Sequence, residues 1–155
     1  MPFENFKAII DFAIEKEKQA VVFYEQLSEE ESMSGVKEMF KDFAEDERKH
    51  QTYLENLEKG NVDKNLANYS LEWIPDLKRS DYVVEMEYKR GMVYGDILKI
   101  AMKREEMALK LYNELLKKAE TKESEKLLKI LCQEEAKHKL VFETMYDDYM
   151  ASMGD

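Results

Sequence analysis

A single cysteine, Cys132, stands in a chain of 155 residues, so no intrachain disulfide framework can form and no multi-thiolate metal site is available. Glycine occurs 5 times and proline twice, too few for the many tight turns of a β-sandwich or barrel. Lysine and arginine number 24 against 34 acids, a formal charge of -10, and such a chain is repelled by nucleic acid and by anionic membrane surfaces. No apolar run approaches the ~20 residues that cross a bilayer. The opening Met1-Pro2-Phe3-Glu4-Asn5 lacks the basic-then-apolar pattern of a secretory signal. We therefore expect a cytoplasmic protein with neither membrane nor nucleic acid among its partners.

What is abundant is charge, 37%, beside 44% hydrophobic residues, the mixture that long amphipathic helices need. The expectation is one all-α domain over residues 1–155. Apolar residues recur at helical spacing over about 3–31, 36–59, 95–120 and 122–150. Ser32 to Gly35 separates the first helix from the second, Gly60 suits the left-handed position after a helix, and Thr121 is placed to cap the fourth helix. Residues of about 60–94, with several Asn and Pro75, follow no clean period. They read as a crossover with short helical pieces, one of them over Asp81 to Arg90 behind a Ser80 cap. The order is hairpin, long crossover, hairpin, an arrangement that four-helix bundles adopt.

The two hairpins are copies of each other. Glu47 and His50 recur 88 residues later as Glu135 and His138, and the same offset carries Glu17 onto Glu105, Tyr24 onto Tyr112 and Ala13 onto Ala101 without a gap. Residues three apart share a helix face, so each Glu-x-x-His aims a carboxylate oxygen and an imidazole nitrogen at one point. Along the inward stripes of the four helices the only acids are Glu17, Glu47, Glu105 and Glu135, and both histidines of the chain lie on them. A carboxylate buried in a bundle costs several kcal/mol or stays protonated. Four at matching depth call for compensating cations, and oxygen-rich ligation with two imidazoles suits a pair of first-row ions such as iron or manganese.

On these residues the chain resembles the ferritin-like di-iron carboxylate family, and within it the rubrerythrins, over most of its length outside the crossover. The resemblance implies a ferritin-like four-helix bundle holding two iron ions, with manganese or a mixed pair as alternatives. Glu17 and Glu105 then correspond to terminal carboxylate ligands, Glu47 and Glu135 to bridging ones, and His50 and His138 to terminal imidazoles. Tyr24 and Tyr112 match tyrosines that bond to ligand carboxylates, and Asp46 and Glu134 stand where they could receive the histidines' other ring proton.

The implied activity is redox chemistry on hydrogen peroxide or dioxygen, with a separate electron donor such as a rubredoxin and a homodimeric state. Ferroxidase or iron-buffering roles, or a metal-holding bundle without turnover, are the alternatives. Two positions depart from the family pattern. Ala108 stands where rubrerythrins typically carry an extra ligand Glu, and one cysteine cannot build their usual rubredoxin-like iron site. Cys132 itself reads as a buried, inert thiol.

Overall fold

The computed structural model describes residues 6–61, 69–82 and 86–154. Four helices follow in order: α1 (Phe6–Glu30), α2 (Ser34–Glu58), α3 (Tyr94–Lys117) and α4 (Lys122–Gly154). No strand occurs among the described residues. The expected starts and stops fall within a few residues of these limits. The first expected residues, 3–5, and crossover residues 62–68 and 83–85 lie outside the described set.

Local chemistry explains the ends. Asn61 N donates to Asn56 O at 2.8 Å and Gly60 N to Leu57 O at 3.0 Å, which is the Schellman closure of α2, and Gly60 sits at φ +84 as that closure requires. At the start of α4, Ser124 N donates to Thr121 Oγ1 at 3.1 Å while Thr121 N reaches back to Ser124 Oγ at 3.4 Å. This is a reciprocal capping box with serine in the usual Glu position.

The chain divides into two compact units. One comprises α1, α2 and the stretch Leu111–Leu131 that contains the α3–α4 turn. Here Ile9, Ile10, Ala13, Tyr24 and Leu27 of α1 are buried, as are Phe40, Ala44, Leu54 and Leu57 of α2, at the 3-4 spacing of facing helix stripes. Ser28 Oγ donates to Lys37 O at 3.2 Å and ties the hairpin near its turn.

The other unit comprises Ser70–Lys110 and the chain from Cys132 onward. Within it α3 and α4 run antiparallel: the Tyr94 and Tyr149 rings lie 5.4 Å apart, and Glu105 meets His138 further along. Gly95 matters here, because a Cβ on it would stand 2.8 Å from the Tyr149 ring. The crossover departs from expectation. Of the helix expected over Asp81 to Arg90, the described residues show one 3-10 turn, Arg79–Tyr82, and no regular structure at 86–89. Just upstream, the backbone N–H groups of Glu72, Leu77 and Arg79 go to side chains of α4, as described below. Trp73 on the same stretch is 84% exposed.

Candidate metal centre

Glu17 on α1 and Glu47 and His50 on α2 are all at most 2% exposed. They are placed by the same arithmetic that builds the core, since Ala13, Glu17 and Tyr24 lie on one stripe of α1 and Phe43, Glu47, His50 and Leu54 on one stripe of α2. His50 Nδ1 stands 3.4 Å from Glu47 Oε1 and 3.8 Å from Glu17 Oε2. Each of the three brings a ligand atom within 4.8 Å of the others'. The Tyr112 hydroxyl, from α3, donates to Glu17 Oε1 and fixes that carboxylate's orientation.

The second set repeats the first. Glu105, Glu135 and His138 are at most 4% exposed, their ligand atoms also lie within 4.8 Å of one another, and His138 Nδ1 is 3.4 Å from Glu105 Oε1. Each set therefore holds two carboxylates and one imidazole in a space the size of a metal coordination sphere.

The donor set fits divalent first-row ions. Oxygen and imidazole nitrogen are the ligands that iron and manganese accept, and no thiolate is offered. Cys132 is half-buried, and burial pushes its thiol up to about 11, so it stays protonated and a poor ligand. Charge argues the same way. Four carboxylates at this depth need positive charge nearby, and the buried ammonium of Lys139 is already held by both Asp76 oxygens at 2.9 Å.

The remaining expected residues fall as follows. Tyr24 is fully buried, with its ring 5.7 Å from Phe43, edge-on, and 6.3 Å from Phe40, stacked. Asp46 and Glu134 are half-buried, and Glu134 lies 3.8 Å from Lys137. Ala108 is half-buried on α3.

The model of the rubrerythrin family matches residues 8–146. The chain belongs to the rubrerythrin family. Two solved structures share the fold of this family member. A Thermotoga maritima protein described as ferritin-like diiron-carboxylate aligns with a TM-score of 0.74 at 20% identity, covering 96% of this chain and 99% of that one. A hypothetical protein of Pyrococcus furiosus aligns with a TM-score of 0.70 at 24% identity, covering 93% and 89%. No curated protein matches. The fold is thus the ferritin-like four-helix bundle of two hairpins joined by a long crossover, and it carries buried Glu and His residues that could bind metal. No described helix is long and apolar enough to cross a membrane.

Sequence reasoning missed a second polar cluster. Gln133, Lys139 and Glu143 of α4 are 6%, 4% and 0% exposed, and all three bond to the crossover. Glu72 N donates to Gln133 Oε1 at 2.8 Å, Leu77 N to Glu143 Oε1 at 3.3 Å and Arg79 N to Glu143 Oε2 at 2.9 Å. Burial pushes the Glu143 carboxyl up, and the two backbone donors offset only part of that. The available signal was a repeat broken at two of the three places: Gln133 and Lys139 answer to Glu45 and Gln51 of α2, while Glu143 answers to Glu55.

Proposed function

We propose that this chain is a non-haem di-iron redox protein that reduces hydrogen peroxide, taking electrons from a separate donor such as a rubredoxin and working as a homodimer. The observation that carries the reading is that each of the two units buries two carboxylates and one imidazole with ligand atoms within 4.8 Å of one another, Glu17, Glu47 and His50 in one and Glu105, Glu135 and His138 in the other. By the family resemblance Glu47 and Glu135 would be the bridging carboxylates, with Glu17 and His50, and Glu105 and His138, as the terminal ligands. Iron held by these residues would supply the two electrons that, with two protons, convert one peroxide to two waters.

The chain's own residues do the rest. The six ligands set the geometry, and Ala13, Leu54, Ala101 and Phe142, each at most 2% exposed, keep bulk water from the site. Tyr112 holds one oxygen of Glu17, which leaves the other to face a metal.

Ferroxidase or iron-buffering activity is the second reading, favoured by Ala108 at the position where the family's extra glutamate would stand. Stopped-flow oxidation of anaerobically iron(II)-loaded protein, mixed separately with peroxide and with dioxygen at matched concentrations, tests both. Much faster reaction with peroxide supports the leading reading. Preference for dioxygen moves the assignment to ferroxidase chemistry, and slow reaction with both to a metal-holding role.

A further inference from the structure

The crossover does more than connect two hairpins. Residues Glu72 to Ser80 grip α4 at Gln133, two residues before Glu135, at Lys139, one residue after His138, and at Glu143 on the next turn. Arg79 adds an ion pair to Asp147 at 2.7 Å. The same stretch is tied to α3 by Lys103 Nζ, which donates to Ser80 O at 3.1 Å two residues before Glu105. The strap therefore brackets all three ligands of one half.

Its grip is built into the backbone. Lys78 adopts φ 57, a left-handed conformation uncommon for a side chain of its kind, and its own N–H turns to Asp76 Oδ1 at 2.8 Å. The flanking N–H groups of Leu77 and Arg79 thereby converge on the two Glu143 oxygens, an anion-holding nest filled by a carboxylate of the protein. Strain of this sort persists where the surroundings over-determine it.

The other half keeps the glutamate but lacks the glutamine and both lysines. The counterparts of Gln133, Lys139 and Glu143 in α2 are Glu45, which is exposed and paired with Arg48 of its own helix, and the half-buried Gln51 and Glu55. The counterpart of Lys103 in α1 is the exposed Glu15.

We infer that the strap makes the Glu105, Glu135 and His138 half the tighter, first-filled metal position, with Glu143, Lys139 and Asp76 as its positioning residues. Ligands already fixed lose less conformational freedom when an ion arrives, so the clamped half binds at lower cost. The inference rests on the di-metal reading above and adds an order of filling to it.

Cobalt(II) titration of the metal-free full-length protein, followed by ligand-field absorption, tests it. The wild type should fill in two resolved steps, His138→Ala should lose the tighter one, and His50→Ala the weaker one. Glu143→Gln should weaken the tighter step roughly tenfold, the scale of residues that orient metal ligands, and leave the other within about twofold. Asp76→Asn, which leaves α4 untouched, should act in the same direction and decides the matter if Glu143→Gln loses its helical circular dichroism. Glu55→Gln, at the equivalent place on α2, should change neither step.

A single unresolved step, a tighter step that survives His138→Ala, or equal loss of both steps in Glu143→Gln with helicity intact overturns the inference while leaving the di-metal reading standing. Failure of the wild type to bind any cobalt overturns both.

Discussion

The two hairpins offer the same potential ligands in the same register, yet they are surrounded differently. Glu17 accepts from the Tyr112 hydroxyl, and the helices that carry Glu17, Glu47 and His50 also pack the Phe23, Tyr24, Phe40 and Phe43 rings together. Glu105, Glu135 and His138 sit on helices gripped by the polar strap of residues 72–80. A duplicated plan has thus kept what a metal needs and diverged in what holds the ligands still. The lesson is that ligand identity and ligand rigidity are separate properties of a centre, set by different residues.

The largest effect comes from breaking what the halves share. If two iron ions bind as proposed, Glu47→Ala and Glu135→Ala should each leave one or none per chain, measured by elemental analysis of protein reconstituted without oxygen. Full stoichiometry in both variants would remove the paired centre. Chelation of the wild type should lower its melting temperature by roughly 10 °C. One ion present at a hundred times its dissociation constant contributes ~2.7 kcal/mol, and ~1 kcal/mol shifts a protein of this size by about 2–4 °C. An unchanged melting curve in demonstrably metal-free protein would count against buried ligands.

Next come the apolar residues that stand in equivalent places one turn beyond each histidine. Leu54 and Phe142 are both 0% exposed. Leu54→Ala should cost about 2–5 kcal/mol and Phe142→Ala about 3–5 kcal/mol in urea unfolding, because each leaves a cavity in a packed interior. A cost under about 0.5 kcal/mol for either, the range of surface substitutions, would show that its half is not packed as described.

Tyr112 sharpens the comparison from the opposite side to the strap, since it serves the first half. Tyr112→Phe removes the hydroxyl that bonds Glu17 and should destabilise the metal-free protein by about 1–3 kcal/mol, the range for a buried carboxylate losing a donor. The same substitution should weaken the metal step lost in His50→Ala more than the step lost in His138→Ala. Equal weakening of both would mean that the hydroxyl acts on the fold at large.

Much of this was legible from residues alone, because the helices and ligands obey periodic rules. Glu47, His50 and Leu54 are buried by the same 3-4 spacing that made them readable, and Gly60 and Thr121 mark helix ends through local chemistry. The strap was not legible, and the reason is physical. Its partners lie 61 to 66 residues away along the chain, and its bonds are made by backbone N–H groups that carry no side-chain signature. Lys139 and Glu143 look like solvated residues of a charged helix until Asp76 and the turn at Lys78 are seen against them. Asp81 to Arg90 read as a helix because composition permits one. The competing bonds to Glu143 and Asp147 hold the preceding residues in another conformation.

The smallest effect is the pH dependence of the strap itself. Burial alone would raise the Asp76 carboxyl, but the Lys139 ammonium and the Lys78 N–H hold it below its ordinary 3.8. A carboxyl depressed on folding contributes stability above its unfolded pKa and loses it as pH falls through the folded value. Glu143, raised by burial, has the opposite slope: its contribution is full below the unfolded pKa and is lost as pH rises through the folded one. The two differ in what a variant reveals. Asp76→Asn should therefore lower the melting temperature by a few degrees at neutral pH, the ~1 kcal/mol expected of a partly exposed pair. That deficit should shrink as thermal melts are carried below pH 3.8 and toward the depressed value at which the wild-type carboxyl also loses its charge. A deficit that grows on acidification would mean that Asp76 is not held by Lys139 in solution, and the strap would then grip α4 through Gln133, Glu143 and Asp147.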